Sequence, residues 1–171
     1  SEQFKVLFEK GPSNVNPFLV PMMIADMASA QVSISLGIKG PNFCTTSSCS
    51  SSADAVGVAY ETIRLGNAQV MIAGGSEAII CPIGVAAFNA NKAISTLNDE
   101  PQKASRPFDA KRHGFVLGEG AAVLILENLS FAQSRGAKIL AEVIGYGASG
   151  DAYHVTAPPE DGEGAVRAMQ A

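Results

Sequence analysis

Apolar residues recur at helical spacing in two stretches of the chain. The first, Phe18 to Leu36, has Pro21 near its start and Gly37 just past its end, which predicts a single helix. Its methionines belong to the apolar stripe and are expected in the core. The second stretch runs from Ser50 to Leu65-Gly66 and predicts another helix, with apolar positions at Ala53, Val56, Ala59, Tyr60 and Ile63.

Short apolar runs between polar segments predict strands. The runs are Gly40 to Thr45, Val70 to Ala73, Ala121 to Leu126 and Ile139 to Tyr146. The run at 121–126 is almost continuously apolar, which is typical of a strand covered on both faces. Between and after these runs we expect a long surface loop at 96–112, a short helix at 130–136, and a loop at 151–164 that opens a last helix. The alternation predicts an α/β fold.

Cys49 lies where a predicted strand turns into a predicted helix, within a run of serines and threonines from Thr45 to Ser52. Unpaired N–H groups at a helix start favour an anion, so the reactive thiolate is favoured there. The same groups are suited to hold an oxyanion. The alternative is an inert cysteine in a core, the commoner fate of a free cysteine. We predict a nucleophile that reacts in preference to Cys44 and Cys81.

Composition excludes several other functions. The 171 residues are 47% hydrophobic and carry a net charge of −4, so the basic surface that nucleic acids require is absent. Three cysteines without paired spacing indicate neither a disulfide framework nor a zinc site, and we expect no metal or cofactor. No apolar run is long enough for a membrane span, and the first residues lack the pattern of a signal peptide. A cytoplasmic protein is expected.

Gly145 to Gly150 matches the dinucleotide-binding fingerprint and follows a predicted strand. That fingerprint needs a helix directly after it, where the pyrophosphate meets the helix N-terminus. Here a loop with Pro158-Pro159 follows instead. We therefore predict no nucleotide site.

Several blocks of sequence resemble the beta-ketoacyl synthase family, and their order along the chain makes the likeness specific. They are Gly40 to Ala78, which contains Cys49, then Ser105 to Asp109, Gly114 to Ala121 and Ser149 to Pro159. The resemblance implies a thiolase-like layered α/β/α/β/α fold, of which residues 1–171 would be a partial domain. They would hold the end of the N-terminal half with the nucleophile, and the start of the C-terminal half.

The resemblance also implies an activity and its residues. Cys49 would accept an acyl group from acyl carrier protein, and decarboxylated malonyl carrier protein would attack the thioester. Phe88 would border the acyl pocket, Lys92 would stand at the channel mouth, and His154 and Thr156 would lie near the pantetheine channel. The strand before Cys49 would pair with its copy in a homodimer.

Two histidines limit how far that mechanism applies. The family's catalytic histidines belong to His-Gly-Thr and Gly-His motifs, whereas His113-Gly114 is followed by Phe115 and His154 matches neither. We expect His113 to be solvent-exposed and the 171-residue chain to be inactive in condensation by itself. Two alternatives remain open: a thiolase-like acyltransferase, and a short non-catalytic product that binds carrier protein or dimerises.

Overall fold

Helices form the first unit of the structure, a computed structural model that describes residues 2–171. This unit comprises residues 2–48. Helix α1 spans Glu2–Lys10, α2 spans Leu19–Met23 and α3 spans Met27–Leu36. Gly37 caps α3 in the left-handed conformation, with φ of 66°, which is where the sequence predicted a helix end.

The single helix predicted over Phe18 to Leu36 is wrong, because the chain breaks between α2 and α3. Ile24 adopts an extended backbone there, with φ of −78° and ψ of 136°. The core position predicted for the methionines is also wrong, since Met22 and Met23 are 71% and 72% exposed. A helix buries apolar side chains only where another element covers them, and neither α2 nor α3 contains a buried residue.

One helix packed on a two-stranded sheet forms the centre of the second unit, residues 49–171. Helix α4 spans Ser51–Arg64, strand β1 spans Val70–Glu77 and strand β2 spans Gly120–Glu127. The strands are antiparallel, and the register runs from Val70 opposite Glu127 to Glu77 opposite Gly120. The buried centre consists of Ala59, Ala73 and Leu126, with Val56, Tyr60, Ile63 and Met71 packed around it.

The prediction that the run at 121–126 is covered on both faces is wrong for the described residues. Val123, Leu124 and Ile125 are all more than half exposed. Helix α4 packs mainly against β1, and within residues 2–171 the sheet has two strands. Strand β2 therefore presents apolar side chains outward.

Two predicted strands are absent from the described structure. Residues 41–47 and 139–146 form neither helix nor strand. A strand exists only as part of a ladder, and the partner that completes a ladder is not specified by the local sequence.

Two of the remaining helices lie at their predicted places, α6 at Leu129–Ser134 and α7 at Glu163–Gln170. Helix α5, which spans Pro82–Ala90, was not predicted. The loop at 96–112 contains a single 3-10 turn at Pro101–Lys103. No helix follows Gly150 until α7, which is consistent with the argument against a nucleotide site. Within residues 2–171, every helix is too short or too polar to cross a bilayer.

Candidate active site

Cys49 occupies the turn that leads into the long helix of the second unit. A 3-10 turn, Ser48–Ser50, directly precedes α4. The Cys49 thiol is free and exposed. The predicted position at a helix start is confirmed, whereas the alternative of a cysteine buried in a core does not fit this exposure.

The residue before Cys49 has an unusual backbone conformation. Ser48 has φ of 57°, in the left-handed region that residues with a Cβ seldom adopt. The conformation costs about 1–2 kcal/mol, and such strain occurs preferentially at functional sites. The chain thus turns sharply immediately before the candidate nucleophile.

A hydrogen-bond network lies in the first turn of α4. The Ser50 hydroxyl donates to Asp54 Oδ2 at 3.3 Å, and the Tyr146 hydroxyl donates to Asp54 Oδ1 at 2.8 Å. The bond to Asp54 raises the pKa of Tyr146, and burial and the carboxylate charge raise it further. Asp54 thereby joins the residue after Cys49 to a segment 92 residues further along the chain.

Two glycines allow neighbouring segments to approach α4 closely. The ring of Tyr146 lies where a Cβ on Gly57 would have to be, and the Ser52 hydroxyl lies where a Cβ on Gly75 would have to be. Gly57 thus lets Tyr146 pack directly on the helix. Gly75 lets β1 pass beside the first turn of α4.

A second cysteine also lies at the start of a helix. Cys81 is the N-cap residue of α5, with Pro82 in the first helical turn, and its thiol is free and exposed as well. Cys44 is exposed too, and its thiol donates to the carbonyl oxygen of Thr45 at 3.4 Å. Cys81 provides an internal comparison for Cys49, because the two share exposure and a helix start but not the Asp54 network.

Two of the predicted binding residues lie at the end of α5. The Phe88 side chain is half-buried on that helix, and Lys92 is exposed just beyond it. Lys92 has φ of 58°, and the N–H of Ala93 donates to the carbonyl oxygen of Phe88 at 3.0 Å. This bond closes the helix end in the pattern that usually places glycine in the left-handed position.

The other two predicted binding residues lie together in the loop before α7. His154 Nδ1 accepts the backbone N–H of Thr156 and that of Ala157, both at 3.1 Å. Nδ1 is therefore the unprotonated nitrogen in this arrangement, and Nε2 carries the proton. The imidazole fixes the turn that presents Thr156, and both side chains are exposed.

The predicted site residues thus form two local pairs, Phe88 with Lys92 and His154 with Thr156. Among the hydrogen bonds of residues 2–171, none joins Cys49 to either pair. His113 is exposed, as predicted.

Asp54 and Tyr146 were not predicted from the sequence. A serine and an aspartate four residues apart at a helix start are a visible signal for the Ser50–Asp54 contact. Nothing local indicates Tyr146, because its partner lies 92 residues away.

Comparison with known proteins identifies the family. A model of the N-terminal domain of beta-ketoacyl synthases matches residues 1–132. This chain belongs to the beta-ketoacyl synthase family. It is 56% identical over 165 residues to 3-oxoacyl-[acyl-carrier-protein] synthase 2 of Rhizobium meliloti strain 1021, covering 96% of this chain and 39% of that protein. Against the Staphylococcus aureus enzyme of the same name, identity is 53% over 167 residues, covering 98% and 41%.

Solved structures give the same result for the fold of this beta-ketoacyl synthase chain. A beta-ketoacyl synthase from Burkholderia phymatum STM815 matches with a TM-score of 0.88 and 38% identity, covering 99% of this chain and 42% of that one. A type II polyketide ketosynthase bound to its acyl-carrier protein matches with a TM-score of 0.89 and 35% identity, covering 94% and 40%. The described elements therefore form part of the thiolase-like ketosynthase fold.

Proposed function

We propose that Cys49 is the acyl-accepting nucleophile of a 3-oxoacyl-[acyl-carrier-protein] synthase that works in fatty acid biosynthesis. The observation that carries the proposal is an exposed, free thiol directly before α4, inside the segment that matches the synthase family model. Fatty acid synthesis is favoured over polyketide synthesis, since identity reaches 53–56% with the synthases and 35% with the polyketide ketosynthase.

The reaction has two stages. In the first, the Cys49 thiolate attacks the acyl thioester of the carrier protein; a new S–C bond forms, the bond to the pantetheine sulfur breaks, and that sulfur leaves as a thiol after taking up a proton. In the second, malonyl carrier protein loses carbon dioxide and its carbanion attacks the Cys49 thioester. A C–C bond then forms, and Cys49 leaves as the thiolate.

The other site residues serve the acyl chain and the pantetheine arm in this proposal. Phe88 borders the acyl pocket, Lys92 lies at the channel mouth, and Thr156 meets pantetheine in the turn that His154 fixes. Support comes from their match to the family motifs and from the His154 hydrogen bonds to Thr156 and Ala157. The exposed ammonium group of Lys92 suits the phosphate or acidic groups of a carrier protein.

The proposed partners are acyl carrier protein and a second copy of this chain. A matching ketosynthase was solved with its acyl-carrier protein, which supports the first. For the second, the segment 41–47 that precedes Cys49 would pair with its copy, and Phe43 in that segment is 48% exposed. A reducing cytoplasm suits three free thiols.

Acyl transfer to the full 171-residue chain tests the proposal. The chain is incubated with hexanoyl carrier protein, digested and mapped by mass spectrometry. We expect a hexanoyl group on the Cys49 peptide, released by hydroxylamine as a thioester is.

Two variants control for non-specific acylation. Cys81→Ala should leave hexanoyl transfer unchanged, because Cys81 lies outside the block Gly40 to Ala78 that carries the family resemblance, although its thiol is also exposed at a helix start. Cys49→Ala should abolish it. Equal acylation of Cys49 and Cys81 in a folded chain, or transfer that persists in Cys49→Ala, would overturn the assignment.

A further inference from the structure

We propose that Tyr146 and Asp54 are positioning residues for Cys49, holding the turn at the start of α4 through Ser50. The inference rests on the proposed role of Cys49 as nucleophile. It adds two residues that would act by holding the turn that carries the thiol, without touching the substrate.

The two carboxylate oxygens of Asp54 have different partners. Oδ2 accepts the hydroxyl of Ser50, the residue next to Cys49, and Oδ1 accepts the hydroxyl of Tyr146. Hydrogen bonds to an ionised group are stronger than neutral ones. A bridging carboxylate therefore ties the nucleophile turn to the segment that carries Tyr146.

Tyr146 is itself held in place by packing. Its ring lies directly on Gly57, where a Cβ would occupy the same space. Gly57 is buried in the middle of α4, one turn beyond Asp54. The Tyr146 ring thus packs on the middle of α4, while its hydroxyl binds Asp54 in the first turn of the same helix. Because the ring is held in place, the hydroxyl is a well-oriented donor.

The turn before α4 contains a strained backbone conformation. Ser48 is in the left-handed conformation at φ of 57°, and such strain persists only where the surroundings enforce it. Thiolate stabilisation depends on N–H groups that point at the sulfur. Two donors to Asp54 also disperse a negative charge that would otherwise oppose a second anion in the same turn.

The test measures the alkylation rate of each cysteine in the full chain with limiting iodoacetamide at pH 8, followed by peptide mapping. In the unsubstituted chain we expect Cys49 to react faster than Cys44 and Cys81. Tyr146→Phe keeps the ring and removes only the hydroxyl. It should slow the alkylation of Cys49 by about threefold to tenfold, a change that corresponds to the loss of one hydrogen bond. The alkylation rates of Cys44 and Cys81 should stay unchanged. Ser50→Ala should slow Cys49 alkylation by a similar factor. The double variant Ser50→Ala/Tyr146→Phe should slow it by less than the product of the two single-variant factors.

Asp54→Asn separates positioning from charge. If Asp54 acted only by its charge, the neutral amide would speed the reaction of Cys49, because a repelling anion is removed. The positioning role predicts a slower reaction. Tyr60→Phe, which removes a hydroxyl elsewhere on α4, is the matched control and should leave the ratio of Cys49 to Cys81 rates unchanged.

The outcomes distinguish this inference from the proposed function. An enhanced Cys49 rate that Tyr146→Phe and Ser50→Ala leave unchanged, or that Asp54→Asn increases, would overturn the positioning role alone. Equal rates for all three cysteines in the unsubstituted chain would overturn the nucleophile and this inference together. Circular dichroism and thermal unfolding of each variant establish that the chain is folded.

Discussion

Lys92 combines a strained backbone with an exposed charge at the end of α5. Its φ of 58° places a residue with a Cβ where glycine is preferred. Lys92→Gly is expected to raise the free energy of unfolding by up to about 1 kcal/mol, since the relief of strain exceeds the added entropy of the unfolded chain. The same variant should slow acyl transfer from carrier protein, because the cation is lost.

Lys92→Gln separates the two effects, because it removes the charge and keeps the Cβ. It should slow acyl transfer without stabilising the chain. Urea denaturation of the three proteins gives the stability difference. A Lys92→Gly chain that is no more stable than the unsubstituted one would show that the left-handed conformation carries no strain.

Tyr146 makes a pH-dependent contribution to stability. Its hydroxyl donates to Asp54 only while it is protonated, and this bond raises the pKa of Tyr146 above its ordinary value of 10.0. The contribution is therefore complete below about pH 10 and is lost as pH rises through the higher pKa of the folded state. We expect the Tm difference between the unsubstituted chain and Tyr146→Phe to be constant from pH 7 to 9 and to shrink above pH 10. A difference that stays constant or grows at alkaline pH would contradict the hydrogen bond.

Close strand pairing makes Gly74 an essential glycine of the sheet. A Cβ there would overlap the carbonyl oxygen of Ala122 and lie 2.7 Å from the Val123 Cα, both in the backbone of β2. Gly74→Ala should therefore destabilise the chain by about 1–3 kcal/mol, as overpacking does. Gly120, at one end of the ladder, has open space at its Cβ position, and Gly120→Ala should be neutral or slightly stabilising. Equal denaturant midpoints for the two variants would show that the strands separate easily at Gly74.

Some elements were predicted from local sequence, whereas features that depend on distant partners were not. Helix α4 was predicted from its apolar spacing and its stop at Gly66, both of which are local signals. Strand β2 lies at its predicted place. Its burial was predicted wrongly, because the elements that cover a strand are specified elsewhere in the chain. The same reason explains the segments at 41–47 and 139–146, where apolar residues occur without a ladder.

The candidate site shows the same division. Cys49 was placed from local pattern and family resemblance, whereas the Asp54–Tyr146 bond joins residues that no spacing rule connects. The break at Ile24 has no glycine or proline to mark it.

At the scale of the whole molecule, the described surface is unusually apolar. Val123, Leu124 and Ile125 on β2 are more than half exposed, and Leu140 and Ile144 elsewhere in the chain are 86% and 88% accessible. Exposed apolar side chains of this kind favour association. We expect sedimentation at micromolar concentration to show species larger than a monomer, and a strict monomer would contradict this expectation. Val123→Lys should reduce association, whereas Lys138→Arg, which keeps an existing charge, should leave it unchanged.

Condensation by the 171-residue polypeptide is not expected. By resemblance, the carbanion from malonyl thioester needs two histidines to hold the enolate charge, and losing one such donor typically costs about 10²–10³ in rate. The two histidines of this chain are not in matching motifs, and His154 Nδ1 already accepts two backbone N–H bonds. Acylation of Cys49 requires chiefly a thiolate and an oxyanion donor, so it should proceed without condensation. The polypeptide is incubated with hexanoyl and malonyl carrier proteins, and the 3-oxoacyl product is sought by mass spectrometry. Sustained product formation that Cys49→Ala abolishes would contradict this prediction and would require His113 or His154 to act in catalysis, which His113→Ala and His154→Ala would then distinguish.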